Sequence, residues 1–201
     1  MNVTESEPLH YAGFWPRLGA LLLDLLILMP LNAIFFWGMA KSRLFIVYSF
    51  IPSTIFSLFY SVYLVQRYGG TPGKLIVGVR IRRVDGDSVG YREAIFRYMP
   101  EFVLLQLMSV AYLIPIMNMS DAEYHALSFM ERSMRIVELA PSWYPPANIL
   151  HNVWVWGELI VLLTNRKRRA LHDFIAGTVV VYKSPNKTTQ PTAADLNVMQ
   201  S

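Results

Sequence analysis

Apolar residues gather in four long runs, and polar links separate them. The runs span about 14–37, 44–65, 95–117 and 149–164. Roughly 20 residues cross a bilayer as a helix, so the first three are long enough to span. The fourth is shorter and contains His151, Asn152 and Glu158. It is expected to tilt, sit off-centre or thin the bilayer locally. Pro16 falls near the start of the first run, where proline suits a first helical turn. Pro52 lies inside the second, with Ser53, Thr54, Ser57 and Ser61 nearby. Hydroxyls beside a membrane proline can satisfy the backbone groups it frees.

The links have patterns of their own. GGTPGK at 69–74 is turn chemistry. In the LIVGVRIRRV that follows, Val77, Val79 and Ile81 alternate with Gly78, Arg80 and Arg82. That is a period-2 strand with one apolar and one basic face, and Asp85-Gly86 then signals a turn. TVVVY at 178–182 is a second short strand. A lone strand leaves its backbone unpaired, so the two are expected to pair, or each to form a hairpin. In the 118–147 link, Ser120 and Glu123 form a capping box, and Leu127, Met130, Met134 and Val137 recur at helical spacing. This predicts an amphipathic helix on the outer surface, ended by Pro141, Pro145 and Pro146, with Trp143 and Tyr144 at the interface. The polar stretch 184–201 is expected to be disordered. The predicted fold is an all-α membrane bundle: a membrane domain over 1–183 with four transmembrane helices, a small cytoplasmic β element and an outer amphipathic helix.

Composition supports this. Of 201 residues, 54% are hydrophobic and 16% charged, whereas a soluble domain carries about a quarter charged residues. There is no cysteine, which excludes disulfide and thiolate chemistry. The net charge of +4 does not imply nucleic acid, because the basic residues flank the apolar runs. The N-terminal MNVTESEPLHYAG carries Glu5 and Glu7 and no early Lys or Arg, so the first run reads as a retained span rather than a signal peptide. Lys41 and Arg43 stand in the first link. Arg67, Lys74, Arg80, Arg82, Arg83, Arg92 and Arg97 crowd the second, and only Arg132 and Arg135 the third. Arg166, Lys167, Arg168, Arg169, Lys183 and Lys187 follow the fourth run. Rich and poor links alternate, which places both termini and the 66–97 link in the cytoplasm.

Charges inside the runs are the candidate chemistry. A charged residue at the centre of a membrane helix costs about 2.5–3.5 kcal/mol on insertion scales. Yet the first run holds Arg17 and Asp24, seven apart on one helical face and about 10 Å apart along the axis. Each is expected to find a partner on another helix, with Glu101, Glu158 and Asp173 as candidates. Arg97 and Glu101 have the spacing of a local ion pair. Arg17 also lies close enough to the run's start to snorkel. His10, His125, His151 and His172 lack metal-site spacing, so neither metal nor other cofactor is expected. GGTPGKL is not a phosphate loop: position 68 is Tyr instead of Gly, and position 75 is Leu instead of Ser or Thr. No nucleophile with a base at recognisable spacing appears, so an enzyme is not expected. The run Arg166, Lys167, Arg168, Arg169 anchors topology and is suited to anionic lipid.

YAGFWPRLGALLLDLLIL, GGTPGKLIVGVRIRRVDG and RRALHDFIAGTVVVYK together resemble the RDD family of bacterial membrane proteins, over about residues 11–183. The family is named for an arginine and two aspartates, which correspond here to Arg17, Asp24 and Asp173. The resemblance implies an integral protein of the bacterial inner membrane and suggests transport without naming a substrate. The link of about thirty residues between the third and fourth runs is longer than a minimal member needs. Two functions follow as expectations. In the first, Arg17, Asp24 and Asp173 carry a net −1 that a proton or cation neutralises, provided the carboxylates meet; so small a transporter would need to be a homo-oligomer. In the second, the same residues latch the spans of a non-enzymatic scaffold or assembly subunit.

Overall fold

The computed structural model describes residues 10–183. Helices α1 (Phe14–Lys41) and α2 (Leu44–Leu58) are followed by a π-turn (Phe59–Tyr63) and the short helices α3 (Leu64–Tyr68) and α4 (Pro72–Ile76). Strand β1 (Val79–Arg83) leads to α5 (Tyr91–Asn118), α6 (Asp121–Ala126) and α7 (Phe129–Glu138). The chain closes with α8 (Tyr144–Thr164), α9 (Leu171–Ile175) and β2 (Thr178–Tyr182). Four helical stretches are long and apolar enough to cross a membrane: Phe14–Lys41, Leu44–Ile76, Tyr91–Asn118 and Tyr144–Thr164. Their surfaces carry many exposed large apolar side chains, among them Leu21, Leu25, Ile55, Val103, Val153 and Ile160. An apolar face without a protein partner is what lipid covers.

The fourth span corrects the expectation of a short helix. Pro145 and Pro146 stand at its first turn, so α8 starts earlier than expected and has 21 residues, long enough to cross a bilayer. A second difference lies in the 118–147 link, where two helices replace the single one expected. Ser120 caps α6, accepting a hydrogen bond from the Glu123 N–H at 3.1 Å. The chain is extended at Leu127, and Ser128 then starts α7 with a capping box of its own. Tyr124 is buried there with Ile116, Met119 and Ile136, and its hydroxyl donates to the Met39 carbonyl at 3.0 Å. Met130, Met134 and Val137 lie on the exposed face of α7. Around Pro52, the hydroxyls of Ser49, Ser53, Thr54 and Ser57 donate to the carbonyls of Ile46, Ser49, Phe50 and Thr54.

At the other end of the bundle, β1 and β2 pair antiparallel as expected, with Ile81 opposite Val180 and Val79 opposite Tyr182. Tyr11 bridges to Val181 on the far side of β2, so β2 runs between β1 and the chain before α1. This explains why Thr178, Val179, Val180 and Val181 are all buried, whereas β1 alternates. Val79, Ile81 and Val180 form a core with Ala12, Val62, Val65, Val89 and Ala94.

The two strands are approached in the same way. In each case a five-residue helix ends, one residue follows, and a glycine at positive φ turns the chain into the strand. These are α4, Val77 and Gly78 (φ 80°) before β1, and α9, Ala176 and Gly177 (φ 64°) before β2. A left-handed residue after a helix stops it at no steric cost only as glycine. GGTPGK is therefore the entry to a helix and not only a turn. The 184–201 stretch expected to be disordered lies outside the described residues.

Candidate functional site

Each of the two helix–glycine–strand units meets one of the sequence's candidate aspartates. Asp24, buried on α1, faces the N-terminal end of α4. Its Oδ1 accepts from the Gly73 N–H at 2.7 Å and from the Tyr60 hydroxyl at 2.5 Å. Its Oδ2 accepts from the Thr71 hydroxyl at 2.5 Å. The first N–H groups of a helix lack internal partners, and a carboxylate is a favourable acceptor for them. Thr71 and Gly73 lie in the GGTPGK stretch, which reads as a turn and not as a partner of Asp24, and the sequence does not point to Tyr60 at all. The close approach needs a glycine, because a Cβ at position 73 would lie 2.2 Å from the Ala20 carbonyl oxygen.

Asp173, wholly buried in α9, caps its own helix, accepting from the Ala170 N–H at 3.0 Å. The same Oδ2 accepts from Arg17 Nη1 at 2.8 Å. Oδ1 takes an ion pair from Arg97 on α5 and a hydrogen bond from the Thr178 hydroxyl at 3.1 Å. Arg97 donates to that hydroxyl as well, at 3.0 Å, and Arg17 donates to the Arg168 carbonyl at 2.6 Å. One carboxylate thus joins α1, α5, α9 and β2. Burial alone would raise the Asp173 pKa, but Arg97, His172 and Arg17 outweigh it and hold the carboxyl well below the usual range.

The structure therefore brings Arg17 to Asp173 and gives Asp24 a separate set of partners. Among the described residues, no group bonds to both aspartates. The expected net −1 does not gather at Asp173 either, where two guanidiniums, Arg17 and Arg97, meet one carboxylate. Arg97 is committed to Asp173 rather than to Glu101, and Glu101 has no hydrogen-bond or ion-pair partner among the described residues. Glu158 pairs with His172: its Oε1 lies 2.5 Å from the ring Nδ1 and accepts from the His172 backbone N–H at 3.2 Å. Burial and the nearby Arg97 lower the His172 pKa. In the basic run, Arg166, Lys167 and Arg168 are exposed. Arg169 turns inward, donating to the carbonyls of Thr178 (3.1 Å) and Asp173 (2.8 Å) and resting 4.1 Å from the Phe174 ring centre. No group of three or more His, Asp or Glu residues among those described could hold a metal.

A family model described as the RDD family matches residues 11–177. An uncharacterized protein of Bacillus subtilis (strain 168), YckC, is 26% identical over 181 residues, covering 88% of this chain and 87% of its own. No solved structure matches.

Proposed function

Because the chain belongs to the RDD family of membrane proteins, we propose that it is a non-enzymatic membrane scaffold in which Arg17, Asp24 and Asp173 are structural latches. It resides in the bacterial inner membrane with the sheet and both chain ends on the cytoplasmic side. What supports the latch reading is the saturation of Asp173. A carboxylate offers about four acceptor positions, and Arg17, Arg97, Thr178 and Ala170 supply four donors. An incoming cation would have to displace arginine from it. Asp24 likewise meets three donors of the protein's own fold. Arg166, Lys167 and Arg168, exposed beside the sheet, form a contact for anionic lipid.

Transport by a cation shared between Asp24 and Asp173 is the competing reading, and the two diverge under charge neutralisation. Asp173→Asn and Asp24→Asn are each expressed, quantified in the membrane fraction, and reconstituted for cation-flux measurement. Latches predict lost abundance and aggregation on size exclusion. Normal abundance with abolished flux would overturn the scaffold reading.

A further inference from the structure

Between the sheet and the spans lies a small polar cavity of about 110 Å³. It is lined by Ser61, Thr71, Lys74, Arg97, Glu101 and His172, with apolar walls from Val65, Ile81 and Tyr98. Its polar groups divide into two kinds. Thr71 and Arg97 are committed to the aspartates. Lys74 and Glu101 have no hydrogen-bond or ion-pair partner among the described residues; His172 Nε2, which is buried, has no hydrogen-bond partner and lies 3.7 Å from Asp173 Oδ1.

An ammonium and a carboxylate that face one small cavity without partners are both costly to keep there. They line one cavity yet do not pair with each other. The His172 ring adds direction. Its Nδ1 faces the Glu158 carboxylate, which favours the tautomer with the proton there, so the neutral ring offers Nε2 as an acceptor. The cavity therefore presents one cationic donor, one anionic acceptor and one neutral acceptor. Its volume equals that of about four water molecules at about 30 Å³ each, room for a ligand of about five heavy atoms.

We propose that this cavity binds a small zwitterion, an α-amino acid of about glycine's size, with its carboxylate on Lys74 and its ammonium on Glu101 and His172 Nε2. A bare cation would leave Lys74 unmatched, and a bare anion would leave Glu101 unmatched. An uncharged solute would match neither. This goes beyond the scaffold reading and is independent of it, because the latches close whether the cavity holds ligand or water.

The test uses the full-length protein in nanodiscs, titrated calorimetrically with glycine, acetate, methylammonium and leucine. Glycine is expected to bind at least about tenfold more tightly than acetate or methylammonium, and leucine to be excluded by size. Lys74→Gln and Glu101→Gln are each expected to weaken glycine binding by about tenfold or more while eluting as the wild type does. Acetate or methylammonium binding as tightly as glycine overturns the proposal, as does glycine binding that ignores both substitutions. Absence of glycine binding up to about 10 mM also overturns it. The wild-type selectivity series decides the matter even if a variant fails to fold.

Discussion

Replacing Gly73 with alanine tests the packing of α4 against α1 through a single methyl group. The added Cβ would lie 2.2 Å from the Ala20 carbonyl oxygen, 2.7 Å from Asp24 Cγ and 2.8 Å from Asp24 Oδ1. The nearest of these is backbone within α1 and cannot rotate aside. Helix α4 must withdraw, and the 2.7 Å bond from the Gly73 N–H to Asp24 lengthens or breaks. Overpacking costs about 1–3 kcal/mol and a lost hydrogen bond to a charged group about 1.5–3 kcal/mol; because one movement causes both, the expected total is about 3–5 kcal/mol. Gly19 provides the contrast, on α1 itself. A Cβ there would meet only Val77 Cγ2 at 3.9 Å, and mid-helix glycine to alanine gains about 0.5–1 kcal/mol. Melting in nanodiscs, followed by tryptophan fluorescence, should therefore move down for Gly73→Ala and stay or move up for Gly19→Ala. The penalty should persist in an Asp24→Ala background, where the Ala20 carbonyl remains. Equal melting of the two glycine variants would refute the close approach.

Further outcomes follow from other parts of the fold. The chain has no cysteine, so an Ile81→Cys/Val180→Cys pair, directly opposed in the sheet, should oxidise readily. Ile81→Cys/Val179→Cys should not, because adjacent strand residues face opposite sides; non-reducing gel mobility separates the two. Asp173 titrates lower when folded than its ordinary value of about 3.9, so its stabilisation is present above that value and lost as pH falls below it. The melting temperature should therefore drop on acidification below about pH 4, and less steeply for Asp173→Asn, which starts lower. Ser128→Ala should cost about 1 kcal/mol and raise hydrogen exchange in Phe129–Glu138 while leaving the sheet unchanged.

The spans and the sheet were legible because their signals are local periodicities. The pairing of the two strands is among the expectations, but their register, Val79 opposite Tyr182 and Ile81 opposite Val180, is set only by the fold. The fourth span was misjudged because Pro145 and Pro146 are compatible with either a helix stop or a helix start, and only the fold decides between them. The second capping box, Ser128 with Glu131, was present in the sequence and would have divided the outer link correctly. The Asp24 site could not be read in the same way. Its partners stand 36, 47 and 49 residues away, and a hydroxyl or a peptide N–H leaves no mark of what it binds. Arg97 was assigned to Glu101 by helical spacing, yet Asp173, brought from 76 residues away, takes it. Local spacing ranks the neighbours a residue could have, and burial chooses among partners from the whole chain.

The sheet also imposes an order of assembly during synthesis. Strand β1 ends at Arg83 and its partner begins at Thr178. A ribosome adding about 5–20 residues per second needs about 5–20 s to cover that interval. For most of it, from residue 97 to residue 173, Arg17 and Arg97 are made while Asp173, which pairs with both, is not. The nascent chain thus waits at the membrane with two uncompensated arginines and an open strand edge, and emergence of the last strand closes both at once. A ribosome stall or a stop codon before residue 173 would leave Arg17 and Arg97 without their shared carboxylate and β1 without its partner strand.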